Sequence, residues 1–256
     1  MFIPLYDKNP RVLIARPWVT WGLILACAVI FAVQLSLGLR GQERLVYGLG
    51  LIPATLVGDV HLNPELRLVA PVATLVTYMF LHGGWLHLAG NMLFLWVFGD
   101  NIEDAMGHRR FAAFFVLGGV VAGLAQALAE PGARAPIIGA SGAIAAVLGA
   151  YLMLYPRAKI LVPILIFPVF LPAVLPLLFW IAFQVFTAMS GGGGSVAWWA
   201  HIGGFVAGAL LIVPFRHNSL PLFGVSKLPG GLRLRKAWRK AWRREGPGGD
   251  DPRDPT

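Results

Sequence analysis

The sequence predicts an all-α polytopic membrane protein whose six transmembrane helices form one bundle. Of its 256 residues, 57% are hydrophobic and only 13% are charged, and the mean hydropathy is +0.70. Soluble domains carry about 25% charged residues. The chain has one cysteine, Cys27, which excludes a disulfide framework and a cysteine-rich metal site.

Six apolar segments are long enough to cross a bilayer, which takes about 20 mostly apolar residues. They lie near 18–38, 85–102, 111–129, 139–155, 170–189 and 197–215. Residues 68–84 are also apolar but contain Pro71 and a glycine pair, so we expect a membrane-associated loop there. Residues 160–176 contain four prolines, which predict an irregular entry to the fifth helix.

These segments divide the chain into an N-terminal lead (1–17), a membrane domain (18–215) and a basic tail (216–256). With the N-terminus in the cytoplasm, 17 of the 21 lysines and arginines fall on the cytoplasmic side, as the positive-inside rule requires. Both termini are therefore predicted to be cytoplasmic. The net charge of +9 reflects topology, so no nucleic-acid partner is expected. The compact chain, which lacks an organelle-type presequence, points to a prokaryotic plasma membrane.

Two polar segments each leave two interpretations open. In the tail, Leu234, Trp238 and Trp242 recur every four residues among basic residues. This spacing is typical of an amphipathic helix on the membrane surface, although a solvated positive tail explains it equally well, and the last residues are predicted to be disordered. The glycine run at 190–195 is either a flexible linker or a mobile cap over a water-filled cavity.

The polar residues of the predicted spans concentrate at the outer ends of helices two, four and six. These three helices run in the same direction, so their first turns share one depth. His87 and Asn91 lie there on helix two, Ser141 on helix four and His201 on helix six. Polar groups within a membrane are costly and usually line a cavity or a site. A structural role explains any one of them, but their shared depth favours a site.

Ser141 has the surroundings of a nucleophile. Gly139 and Gly142 flank it, so the backbone is free to turn and neighbouring segments are free to approach closely. Its place at a helix start leaves N–H groups available to an anion. A serine in this position brings part of its own oxyanion hole. The alternative is a small residue that only helps helices to pack.

Small residues predict that helices four and six touch. Gly204 and Gly208 follow His201 on one helix, and Ala145 and Gly149 follow Ser141 on the other. Small faces allow close helix contact in membranes. That contact would bring the His201 imidazole to the Ser141 hydroxyl, as a general base requires.

Other hydrolytic chemistries lack the residues they need. The sequence has no H-E-x-x-H zinc motif and no aspartate in the middle of a span. Asp100, Glu103 and Asp104 lie at the inner end of helix two, away from His201. If the chain is a hydrolase, it is therefore predicted to use a Ser–His dyad without a metal or another cofactor. His87 and Asn91, four residues apart on one helix face, are suited to donate to an oxyanion; the alternative is an interhelical hydrogen bond.

Four motifs together resemble the rhomboid family of intramembrane serine proteases. They are HGGWLHLAGN (82–91), FGDNIEDAMG (98–107), GASG (139–142) and AWWAHIGGFVAG (197–208). The resemblance implies a rhomboid-type bundle in which Ser141 is the nucleophile and His201 the general base. It further implies an oxyanion hole made of the Ser141 N–H, His87 and Asn91, with His82 in a supporting role.

The resemblance also implies the partners, namely single-pass transmembrane substrates cleaved within or beside their membrane segment, and membrane lipid. One position departs from the family. Many members have an aromatic residue four positions after the serine, packed against the histidine, where this chain has Ala145. We therefore expect helices four and six to pack more closely, or another ring to substitute. The alternative function is a non-proteolytic membrane protein that binds transmembrane clients.

Overall fold

The computed structural model describes residues 2–58, 60–164, 167–191 and 196–224, and helices dominate them. The α-helices are α1 (Trp18–Ser36), α2 (Gly38–Leu49), α3 (Pro53–Leu56), α4 (Thr74–Thr77), α5 (Trp85–Phe94), α6 (Asp100–Met106), α7 (His108–Ala129), α8 (Ser141–Leu154), α9 (Val174–Met189) and α10 (Trp198–Phe215). A π-helical turn, Leu95–Gly99, joins α5 to α6, and 3-10 turns at Pro71–Ala73 and Tyr78–Phe80 flank α4. The predicted tail helix and most of the glycine run lie outside the described residues.

Three helices, α1, α7 and α10, are long and apolar enough to cross a membrane, while α8 and α9 are apolar but shorter. The six predicted spans coincide within a few residues with α1, α5–α6, α7, α8, α9 and α10. The chain is thus a mainly helical membrane protein, and the count of six spans stays a prediction. At the centre lies α8, which is buried continuously from Gly142 to Tyr151 between its neighbours α7 and α10.

The described residues are mainly helical, as predicted, but they also form a small antiparallel sheet that the all-α prediction left out. Strand β1 (Tyr6–Asp7) pairs with β2 (Lys159–Ile164), which pairs with β3 (Phe167–Pro172). The region 160–176, predicted as an irregular helix entry, is therefore largely a hairpin. Its Val, Ile and Phe residues favour strands. Pro163 lies opposite Pro168, beyond the two residues that β1 covers, so a missing N–H costs little there.

The long connection between α1 and α5 is built into the core. Tyr78 and Met79 are buried in it, and the Tyr78 hydroxyl donates to the Gly119 carbonyl on α7 at 2.8 Å. The connection also meets the segment before α8, since the Gly139 N–H donates to the Tyr78 carbonyl at 2.9 Å. This contact holds the residues that lead into Ser141.

Two buried carboxylates in α6 anchor the start of α1 and the N-terminal lead. Glu103 accepts the Thr20 N–H and hydroxyl, each at 2.7 Å, and thereby caps the first turn of α1. Asp104 accepts three consecutive N–H groups, those of Val12, Leu13 and Ile14, at 2.6–2.8 Å. These acidic residues thus stabilise the fold at the end of the bundle away from Ser141.

The Asp7 carboxyl makes the docking of β1 sensitive to pH. It accepts hydrogen bonds from Tyr151 Oη at 2.7 Å and Asn101 Nδ2 at 2.9 Å. Burial nevertheless raises the pKa of Asp7 to about 7. Because the unfolded value is about 3.9, the stability that protonated Asp7 contributes is complete below about pH 4. It is lost as the pH rises through about 7.

We therefore expect Asp7→Asn to stabilise the protein at pH 8. The neutral amide retains an acceptor for Tyr151 and Asn101 and carries no charge to desolvate. One pKa unit corresponds to about 1.4 kcal/mol, so the gain at pH 8 is about 1 to 4 kcal/mol and shrinks toward zero near pH 4. Thermal unfolding of the detergent-solubilised protein between pH 4 and 8 measures it. An equal difference between variant and wild type at every pH would contradict a titrating Asp7.

Candidate active site

Ser141 is the first residue of α8, and the segment before it is fixed from both sides. Leu51 and Ile137 form a β-bridge, and the Tyr78 carbonyl accepts from Gly139. Gly139 has a φ of +123°, a conformation that residues with a side chain rarely adopt. The chain therefore turns sharply just before Ser141, whose N–H has no acceptor within the helix because it lies in the first turn.

The Ser141 hydroxyl lies 2.8 Å from Nε2 of His201, the fourth residue of α10. Both residues are half-buried. The structure thus brings together two side chains that are 60 positions apart in the sequence and that sequence patterns alone suggested as partners.

Contact between α8 and α10 brings about this approach, and glycines permit it. A Cβ on Gly204 would overlap the carbonyl oxygen of Gly142, and one on Gly208 would overlap that of Ala146. In the other direction, a Cβ on Gly149 would overlap the carbonyl oxygen of Phe205. The backbones therefore touch along two turns. Gly142 is itself helical and contributes close packing, whereas Gly139 contributes the turn.

The side of His201 away from Ser141 faces α9. Nδ1 lies 2.7 Å from Oε1 of Gln184. The Trp180 ring, one turn earlier on α9, has its centroid 5.7 Å from the imidazole at an interplanar angle of 38°, and Trp198 meets the imidazole edge-on at 6.3 Å. Ala145 is fully buried in α8. The ring missing at that position is thus supplied from α9 and from the start of α10.

His87 and Asn91 lie on one face of α5 and approach the same space beside Gly139. A Cβ on Gly139 would lie 2.7 Å from His87 Nε2 and 3.5 Å from Asn91 Nδ2. Asn91 Nδ2 is buried without a hydrogen-bond partner among the described residues. An unpaired buried donor costs about 1 to 3 kcal/mol. Two side-chain nitrogens thus face a small space next to Ser141, and one of them is a donor for which the described part of the chain supplies no acceptor.

His82 lies behind this pair and does not reach Ser141 in the contacts that the structure describes. Its ring meets the His87 ring edge-on, with centroids 5.2 Å apart. Its backbone exchanges hydrogen bonds with the Gln34 side chain on α1, at 3.1 and 3.3 Å. His82 therefore packs behind His87 and connects the start of α5 to α1.

Sequence reasoning missed Gln184 and Trp180. It located the polar residues of the predicted spans at the starts of helices two, four and six, but Gln184 also lies within a predicted span, the fifth. It is 3% exposed, whereas its neighbours Phe183 and Val185 are 45% and 37% exposed. A single amide in an apolar helix was the available signal, since polar residues in membrane spans usually have a partner. The described residues assemble no group of three or more His, Cys, Asp or Glu that could bind a metal.

Comparison with known proteins identifies relatives of this chain. A family model described as a Rhomboid domain matches residues 70–218. Rhomboid protein 1, mitochondrial, of Saccharomyces cerevisiae is 34% identical over 140 residues, which is 51% of this chain and 38% of that protein. RHOMBOID-like protein 5 of Arabidopsis thaliana is 37% identical over 78 residues, covering 30% of this chain and 25% of that protein.

Presenilin-associated rhomboid-like protein, mitochondrial, of Mus musculus is 30% identical over 138 residues, covering 52% of this chain and 36% of that protein. The matched part of the chain therefore spans between 25% and 38% of the length of these three relatives. Two of these three relatives are named as mitochondrial. That finding conflicts with the prediction of a prokaryotic plasma membrane, whereas the apolar helices and the rhomboid domain support a membrane protein.

Proposed function

The chain belongs to the rhomboid family, and on that premise we propose that it is an intramembrane serine endopeptidase. The observation that carries the proposal is the 2.8 Å contact between Ser141 Oγ and His201 Nε2, beside a donor on Asn91 that has no partner among the described residues. A nucleophile within hydrogen-bond reach of its base, next to donors for an oxyanion, is the arrangement that acyl transfer needs.

In the proposed reaction, His201 Nε2 removes the hydroxyl proton as Ser141 Oγ attacks the scissile carbonyl carbon. The tetrahedral intermediate collapses when the C–N bond breaks, and the imidazolium returns the proton to the leaving amine. An acyl-enzyme on Ser141 remains. A water molecule then gives a proton to His201 Nε2 and attacks the ester carbonyl. The bond between Ser141 Oγ and the acyl carbon breaks, the carboxylic acid is released, and the imidazolium returns its proton to Ser141 Oγ.

The space beside Gly139 is suited to the oxyanion. The Gly83 N–H donates to His87 Nδ1 at 3.3 Å, so the proton of a neutral His87 ring is on Nε2. Nε2 is the atom that approaches Gly139. His87 and Asn91 would therefore both donate, together with the Ser141 N–H. None of these three donors carries a formal charge, so no ion has to be desolvated in the site before substrate arrives.

The short length of α8 supports a site below the membrane surface. Its 14 residues are about 21 Å long at about 1.5 Å per residue, against about 30 Å for the hydrocarbon core. If the far end of α8 reaches the opposite boundary, Ser141 is roughly 10 Å below the nearer one. We place α1, α5–α6, α7, α8, α9 and α10 across the membrane with both termini on the cytoplasmic side.

A submerged site favours substrates that are themselves in the membrane. We propose single-pass transmembrane proteins, cleaved within or beside their membrane segment, with lipid as the other partner and no cofactor. A backbone carbonyl in such a segment is accessible only where the helix unwinds, because helical carbonyls are already hydrogen-bonded.

A fluorophosphonate probe and a reporter transmembrane substrate test the proposal together. The wild-type protein should react with the probe at Ser141 and cleave the reporter, and Ser141→Ala should do neither. Ser219→Ala is the matched control, since the Ser219 hydroxyl also lies beside a histidine ring nitrogen, His217 Nδ1 at 2.9 Å, but at an exposed position. Equal cleavage by wild type and Ser141→Ala would overturn the proposal. Reporter binding without cleavage by the wild type would favour the client-binding alternative.

A further inference from the structure

We infer that Gln184 is a positioning residue for the general base, in an inference that rests on the proposed function. Its amide oxygen holds His201 in the one neutral tautomer that is able to accept the Ser141 proton. The site would then act as a Ser–His–Gln relay in which the third member comes from α9 and is uncharged.

The hydrogen-bonding capacity of each atom supports this assignment. Gln184 Oε1 has lone pairs and no proton, so its 2.7 Å contact with His201 Nδ1 requires the proton to be on Nδ1. The lone pair of a neutral ring is then on Nε2, which faces Ser141 Oγ at 2.8 Å. The hydrogen bond that one ring nitrogen makes sets the state of the other. His87 is held in the opposite tautomer by the Gly83 N–H, as its proposed donor role requires.

The burial of Gln184 shows that its side chain points into the protein and not outward from α9. The side chain is 3% exposed, although α9 presents large apolar residues such as Phe179 and Phe186 outward, at 65% and 69% exposure. Turning an amide inward from such a helix is favourable only if its polar atoms find partners. The ring of Trp180, four residues earlier, packs against the same imidazole in a tilted arrangement. Two successive turns of α9 therefore fix the orientation of His201.

An amide has a physical advantage over a carboxylate at this position. A carboxylate on α9 would have to be desolvated in the membrane before any substrate arrived. A neutral amide orients the ring without that cost, and it still accepts from Nδ1 when the imidazolium forms. The amide stabilises the imidazolium less than a carboxylate would, so Gln184→Glu should shift the acid limb of the pH profile to higher pH.

The test compares three variants in the full-length protein. Gln184→Leu removes the acceptor at similar volume, and Gln184→Glu restores an acceptor and adds a charge. Gln126→Leu is the matched control. Gln126 is also a buried glutamine, 4% exposed, and its Oε1 accepts the N–H of Ala200, the residue before His201. It supports the same helix without touching the imidazole in the contacts described.

Two readouts separate positioning from a general loss of structure. The first is the rate of probe labelling and reporter cleavage as a function of pH. The second is the pair of ¹⁵N chemical shifts of the His201 ring, which report its tautomer, assigned by comparison with His201→Ala. His87 is the other titratable group whose charge acts on His201, so the pH profiles are repeated in a His87→Ala background.

We expect Gln184→Leu to lower kcat and the labelling rate about 10- to 100-fold with KM little changed. General-base catalysis accelerates a reaction about 10²- to 10⁴-fold, and a misoriented His201 would lose part of that acceleration. Its ¹⁵N shifts should show a mixture of tautomers. Gln184→Glu should recover most of the rate. Its acid limb should move to higher pH by about one unit or more, since a nearby carboxylate favours the imidazolium. Gln126→Leu should lower thermal stability but leave the acid limb and the tautomer unchanged.

If Gln184→Leu retained the wild-type rates, pH profile and His201 tautomer, the inference about Gln184 would be overturned. The proposal that the protein is a protease would be unaffected. The same loss and the same tautomer mixture in Gln126→Leu would also overturn the inference, because any weakening of the bundle would then suffice. If the wild type neither labels nor cleaves, the proposed function fails, and the ¹⁵N shifts still decide whether Gln184 sets the tautomer.

Discussion

Replacing His201 by alanine is expected to lower reporter cleavage by about 10⁴- to 10⁶-fold, because the loss of a general base leaves only binding and oxyanion stabilisation. Probe labelling of Ser141 should fall in parallel, since the hydroxyl would have to react without a proton acceptor at 2.8 Å. Single-turnover cleavage in detergent or proteoliposomes measures the loss, and a thermal unfolding curve checks that the variant remains folded.

His217→Ala is the matched control for this prediction. His217 contacts Ser219 at 2.9 Å, nearly the distance found at the proposed dyad. That pair is exposed, and the described contacts of its imidazole include no partner like Gln184. We expect wild-type activity from His217→Ala. Retention of more than a few per cent of the cleavage rate by folded His201→Ala would rule out His201 as the base.

Removing an oxyanion donor is expected to have the next largest effect. Asn91→Ala and His87→Ala should each lower kcat by about 10²- to 10³-fold, as single donors do in other acyl-transfer sites. The physical reason is that both side chains approach the space beside Gly139, and their hydrogen bonds would strengthen as charge develops on the carbonyl oxygen. KM should change less than kcat, because the interaction is made mainly in the transition state.

The two oxyanion variants should differ in stability. Asn91 Nδ2 has no partner among the described residues, so Asn91→Ala removes an unsatisfied buried donor and should not destabilise the protein through a lost hydrogen bond. His87→Ala also removes the contact with His82 and the acceptor for Gly83, and we expect a lower unfolding temperature. A loss of kcat below threefold in Asn91→Ala, in protein that binds the probe normally, would exclude Asn91 from the oxyanion hole.

Local patterns predicted the helices well and the sheet badly. The apolar runs located α1, α7 and α10 closely, because a span must satisfy its own backbone and therefore has a minimum length. The same reasoning failed at 160–176, since four prolines indicate only that a helix is broken. Whether a broken segment becomes a loop or a hairpin depends on a partner strand, and here the partner of β2 on one side is Tyr6–Asp7, about 150 residues earlier in the chain.

Composition and spacing by themselves determined that the chain is a membrane protein with small-residue faces beside Ser141 and His201. These properties are local, because each follows from the residues of one helix and their period. Only the tertiary structure decided what contacts the far side of His201. Gln184 and Trp180 belong to a different helix, and although the amide of Gln184 marks a face of α9 that needs a partner, nothing in α9 alone indicates which residue that partner is. Hydrogen bonds between segments depend on how helices pack, and packing is a property of pairs of surfaces rather than of one sequence window.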